Sequence, residues 1–103
     1  MNKKLLDNYD KMVVKDKVAV IHCAFGDTPH TVAMVSVNKK LSDKEKCDKA
    51  FMLTNSIEDG WWNNKEVTPM FPNDGCRSTC VGDQVLVGNT KYECAPFGWE
   101  LVT

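Results

Sequence analysis

The sequence has little of what most catalytic and ligand-binding families rely on. Arg77 is its one arginine, and His22 and His30 are its two histidines. No run approaches the roughly 18 consecutive apolar residues that a membrane-spanning helix requires, so no membrane role is expected. "MNKKLLDNYDKM" alternates charge with hydrophobe rather than opening into an apolar leader, and the expected location is the cytoplasm of the cell that makes the protein. The five cysteines, Cys23, Cys47, Cys76, Cys80 and Cys94, are odd in number and include no C-x-x-C pair. A disulfide framework is therefore not expected, and the thiols read as reduced and mostly buried. Cys76 and Cys80 stand four apart and His22 adjoins Cys23, but zinc sites pair their ligands more closely and twice over, so neither metal nor cofactor is expected.

Charge excludes two further classes. Thirteen basic residues face 14 acidic ones, a net charge of −1, too even for a DNA mimic or a generic nucleic-acid binder. The balance is uneven along the chain: residues 1–49 carry ten lysines against seven acidic residues, and residues 50–103 carry three basic residues against seven. Neither histidine has a Ser or Cys nucleophile at a recognisable spacing, and the carboxylates are scattered. No enzyme is expected.

What is present reads as one domain over residues 1–103. Leu5, Leu6, Tyr9, Met12 and Val13 recur at helical spacing, predicting a short helix over 3–14. "KVAVIHCAF" (17–25) and "TVAMVSV" (31–37) are β-branched runs around a Gly26–Pro29 turn and predict an antiparallel pair. In the first run Val18, Val20, His22 and Ala24 share one face, and Ala19, Ile21, Cys23 and Phe25 the other. Ser42 and Glu45 form a capping box at the start of the principal helix, with Cys47, Ala50, Phe51, Thr54 and Ile57 on its apolar face and Gly60 placed to end it. Lys39, Lys40, Lys44, Lys46 and Lys49 interleave with acids and read as a solvated face.

Residues 61–81 read as a long irregular loop. Gly88-Asn89 then marks a hairpin that sets Val85 opposite Tyr92 and Val87 opposite Thr90. "FGWELV" reads as a last strand with Phe97, Trp99 and Leu101 to one side. The expected class is α+β: an antiparallel sheet of four to five strands with one principal helix packed on it.

Two groups of residues are candidates for binding. Arg77, Ser78 and Thr79 put an arginine fork beside two hydroxyls, a set that can hold a carboxylate or phosphate. The structural reading of the same stretch has Ser78 and Thr79 satisfying loop backbone, Asp83 capping a turn and Arg77 paired with Asp74, Glu93 or Glu100. Trp61-Trp62 cannot both face inward along an extended chain, so one is expected on the core and the other partly exposed, where it could anchor a partner. His22 reads as a satisfied core residue.

The segment "CRSTCVGDQVLVGNTKYECAPFGWELV" resembles the C-terminal tail of small phage and plasmid proteins, including the YodL-like domains. The matching positions are Arg77, Ser78, Val81, Gly82, Asp83, Tyr92, Phe97, Gly98 and Trp99, with Cys80 where such proteins commonly have Ser. "FMLTNSIEDGWWNN" is similar to the segment that precedes that tail, so the likeness covers roughly residues 50–102. The resemblance implies a mobile-element origin and carries over no catalytic residues. The functional expectation is a non-enzymatic accessory protein that binds a host or phage protein. A small nucleic-acid or nucleotide-binding module using Arg77, Ser78 and Thr79 is the alternative, and a homodimer through a sheet edge or an exposed Trp remains open.

Overall fold

The two β-branched runs form adjacent interior strands of the sheet. In the computed structural model, which describes residues 15–55, 60–71 and 75–102, strand β1 (Lys15–His22) pairs antiparallel with β2 (His30–Asn38). The expected helix over 3–14, Ile57 and Asp74 lie outside the described residues. The ladder slips between Val20 and Ile21: Val20 faces Ala33, Ile21 faces Thr31, and the extra residue, Val32, is buried with its neighbour Ala33. β1 ends three residues before the expected Phe25. The N–H groups of Cys23 and Ala24 turn to the Asp83 carboxylate instead of to a neighbouring strand, and residues Ala24–Gly26 form a single 3-10 turn.

The helix α1 (Asp43–Leu53) begins as the capping box predicts, with Ser42 Oγ accepting from the Glu45 N–H and Glu45 Oε1 from the Ser42 N–H. It ends at Thr54 rather than Gly60. The hydroxyl and N–H of Thr54 both bond to the Ala50 carbonyl, and its own carbonyl accepts from the Thr79 N–H, so the chain is drawn off the helix axis by the corner described below. Gly60, at φ −59°, has no left-handed role. Cys47, Ala50 and Thr54 are fully buried, as their spacing predicts. Lys46 departs from the expected solvated face: it is buried and reaches Asp16 at 3.3 Å, while Lys39, Lys40, Lys44 and Lys49 are exposed.

Four more strands complete the sheet: β3 (Val67–Pro69), β4 (Gln84–Val87), β5 (Thr90–Ala95) and β6 (Gly98–Leu101), in the order β3-β2-β1-β4-β5-β6 with all neighbours antiparallel. The architecture is α+β with six strands among the described residues, one more than the upper expectation. The addition is β3, three residues inside the segment that reads as loop. Its pairing to β2 is set by distant residues, and its Pro69 argues locally against a strand.

The β4–β5 hairpin has the predicted register, Val85 opposite Tyr92 and Val87 opposite Thr90. Gly88 takes φ +60° at the first central position of its turn, which a side chain would strain. α1 covers one face of the sheet, closing a core of Val18, Val20, Val35, Val37, Val85, Val87, Cys47 and Ala50. Burying each valine contributes about 1.5–3 kcal/mol. Tyr92 and Trp99 bond from the sheet to Asp43 and Asp48 of α1, both at 2.8 Å. Phe97 does not share the Trp99 face. It sits in the Pro96-Phe97 turn between β5 and β6 and is 99% exposed.

Candidate functional site

The corner at residues 76–83 is organised by Asp83, whose side chain is wholly buried. Oδ1 accepts from the N–H groups of Cys23 and Ala24 at 2.9 and 3.0 Å, and Oδ2 from the N–H of Cys80 at 2.9 Å. The Arg77 guanidinium closes on both oxygens, Nη1 to Oδ2 at 2.6 Å and Nη2 to Oδ1 at 2.8 Å. Burial works to raise the Asp83 carboxyl. The Arg77 fork and the N–H groups of Ala24, Cys80 and Cys23 outweigh it, holding the group well below the usual carboxylate range.

Arg77 thus has Asp83 as its partner, not Glu93 or Glu100. Its guanidinium also donates to the Ser78 carbonyl at 3.2 Å, Cys80 Sγ at 3.4 Å and Asp27 Oδ2 at 3.4 Å. With Asp83 and Asp27 against one guanidinium, the described residues of this cluster carry a formal charge of −1. That charge opposes a phosphate rather than attracting one.

Thr79 is also fully buried, and its hydroxyl serves side chains rather than loop backbone. It lies 3.0 Å from His22 Nε2 and 2.8 Å from Thr54 Oγ1. Because the Thr54 hydroxyl gives its proton to the Ala50 carbonyl, it must accept from Thr79, which in turn accepts from His22 Nε2–H. His22 Nδ1 is then left without a proton and accepts from the Cys76 thiol at 3.7 Å. A directed chain of hydrogen bonds runs from Cys76 through His22, Thr79 and Thr54 into the last turn of α1.

The same chain bears on catalysis, since a thiol beside an imidazole is a pattern shared with thiol enzymes. Burial lowers His22 to about 4, Asp83 at 3.8 Å offsetting only part of the effect, and burial raises the Cys76 thiol. Both groups are neutral near pH 7, and the pair does not rest as thiolate and imidazolium. His22 is the satisfied core histidine that its position on β1 predicts.

The tryptophans divide between core and surface as expected, although they lie in a 3-10 turn (Trp61–Asn63) and not in extended chain. Trp61 is 1% exposed and donates to the Arg77 carbonyl at 3.2 Å, so it braces the corner from beneath. Trp62 is half-buried in an aromatic trio with Trp61 and Phe71, all three ring pairs edge-on at 5.5–5.6 Å. Of the sequence-predicted site residues, Arg77, Thr79 and Trp61 meet in one network. Ser78 is half-buried within it, and Trp62 lies beside it.

Two exposed residues at this corner, Phe25 and Val81, are not among the binding candidates that the sequence suggests. Asp83 holds the 3-10 turn that carries Phe25 and, through Cys80, the turn that carries Val81; these side chains are 82% and 51% exposed. The turns touch where Gly82, at φ +97°, backs onto Ala24. A Cβ at Gly82 would come within 3.2 Å of the Ala24 Cβ. Phe25 itself has φ +60°, ψ +26°, and its ring lies 5.3 Å from the Arg77 guanidinium carbon.

Among the described residues no group of three His, Cys, Asp or Glu side chains is placed to hold a metal ion, and no helix is long and apolar enough to cross a membrane. No family model matches the chain, no curated protein matches it, and no solved structure matches it.

Proposed function

We propose that this chain is a small, non-enzymatic accessory protein of a phage or similar mobile element. In this reading it acts in the host cytoplasm by binding a host or phage protein through the knuckle formed by Phe25 and Val81. The origin rests on the resemblance of residues 50–102 to small phage and plasmid proteins.

The binding surface rests on Phe25. Left-handed backbone costs a non-glycine residue about 1–2 kcal/mol, and a bulky side chain there is an outlier. At 82% exposure the ring recovers little of that cost by burial. Its contact with Arg77 offsets about 0.5–1 kcal/mol. Strain of this kind, maintained by the Arg77–Asp83 ion pair and without burial of the strained residue, concentrates at functional sites such as ligand clamps.

Affinity capture from host-cell lysate with the wild-type chain and with Phe25→Asn tests the reading. Asparagine tolerates the left-handed backbone, so the variant keeps the fold while losing the ring. A protein retained by the wild type and lost from Phe25→Asn and from Val81→Lys is the expected result. Identical capture profiles for folded wild type and variants would overturn it.

A further inference from the structure

β3 and β6 are the outer strands of the sheet among the described residues, and their free sides differ. On β3, Glu66 and Met70 bond inward to β2 through Glu66 O and Met70 N, so by alternation Val67 and Pro69 face outward. The Val67 N–H is already bonded back to Asn64, and Pro69 has none. That edge is closed to strand addition.

β6 has no such device. Val102 N donates to Lys91 O at 2.9 Å, so the same alternation turns Glu100 toward β5 and the N–H and C=O groups of Trp99 and Leu101 away from it. Two donors and two acceptors line an edge that contains no proline, lysine or register shift. Beside them Leu101, on the Trp99 side of the strand, is 60% exposed. On the opposite side Glu100 stands directly across from Glu93. Glu93 accepts from Gln84 at 3.2 Å, whereas Glu100 makes no ion pair among the described residues. Like charges so placed repel, and a cation next to Glu100 relieves both.

The geometry points to β6 as an acceptor for an extended segment of a partner protein that adds as a seventh, antiparallel strand, with apolar side chains beside Leu101 and a lysine or arginine beside Glu100. Charge selects this occupant over a second copy. The self-pairing that uses all four outward backbone groups sets Trp99 against Leu101 of the other chain and Glu100 directly against Glu100. This surface is separate from the Phe25 knuckle, so either can fail alone.

Amide NMR of the labelled full chain tests the inference, with an octapeptide of alternating lysine and valine as probe and the glutamate–valine peptide as control. The lysine peptide should move the Trp99 and Leu101 amides saturably, slow their hydrogen exchange and bind at least tenfold tighter than the control. Leu101→Pro, which removes an N–H unused within the sheet, should abolish binding, and Glu100→Lys should reverse the peptide preference. Equal binding of the two peptides, no movement at β6, or unchanged preference in Glu100→Lys would overturn it. So would Trp99 and Leu101 amides already protected in a concentration-dependent way in the protein alone, because a second copy would then hold the edge.

Discussion

Arg77 and Asp83 face each other as a fork on a fork, with bonds of 2.6 and 2.8 Å, six residues apart in one loop. The pair links three separate pieces of chain. Asp83 leads into β4, its oxygens gather the backbone after β1, and the Arg77 carbonyl rests on Trp61. A guanidinium so engaged is part of the architecture. The fork geometry also explains why arginine stands here in a chain whose other 12 cationic residues are lysines.

Stability should fall with acid in a defined window. His22 is pushed down to about 4 from an ordinary value near 6.5, so between those values the unfolded chain binds a proton that the folded chain does not. The contribution is complete above pH 6.5 and is lost progressively toward pH 4, a span on the order of 3 kcal/mol. Asp83, held low, adds a further loss below the ordinary carboxylate range. Urea unfolding from pH 2 to 8 should show the slope, and His22→Gln should flatten it between pH 4 and 6.5 while leaving the limb below pH 4. A slope unchanged by His22→Gln would contradict the neutral, buried histidine.

Removal of the Thr79 hydroxyl should interrupt the hydrogen-bond chain. Thr79→Val leaves His22 Nε2–H and the Thr54 oxygen without their partner in a buried site and should cost about 1–3 kcal/mol. Thr79→Ser should recover most of that loss. Equal destabilisation by valine and serine would locate the effect in the methyl group instead.

Phosphate ligands should not stabilise the protein. The described residues of the corner carry a formal −1, and the Arg77 fork is already closed on a carboxylate. Inorganic phosphate, ATP and GTP at millimolar concentration should therefore shift the melting temperature by less than about 1 °C. A ligand at 100 times its Kd would add about 2.7 kcal/mol, or roughly 10–20 °C in a domain of this size. A shift of that order, lost in Arg77→Lys, would favour the nucleotide-binding alternative.

What could be read from the sequence was local. Ser42 and Glu45 are three residues apart, and Val85 meets Tyr92 across a turn only two residues long, so the spacing alone placed both. Asp83 could be read only as a turn former, because its N–H partners Cys23 and Ala24 lie 60 and 59 residues away. The early end of α1 has the same cause: Thr54 leaves the helix to meet Thr79, 25 residues on. Phe25 reads as the end of a strand because its β-like neighbours hide a turn that the Asp83 carboxylate holds. β3 is not legible locally because its pairing with Val35 and Met34 outweighs the local signal of Pro69.

The most direct measurement is a double-mutant cycle on Arg77 and Asp83 by urea unfolding, using Arg77→Ala, Asp83→Ala and the double variant, with Asp83→Asn as the milder control. Each alanine variant should lose about 3 kcal/mol or more. The double variant should fall short of the sum by about 2 kcal/mol, because neither charge is then left unpaired. Losses that add within about 0.5 kcal/mol, or an Arg77→Ala chain as stable as the wild type, would contradict the claim that this ion pair builds the corner.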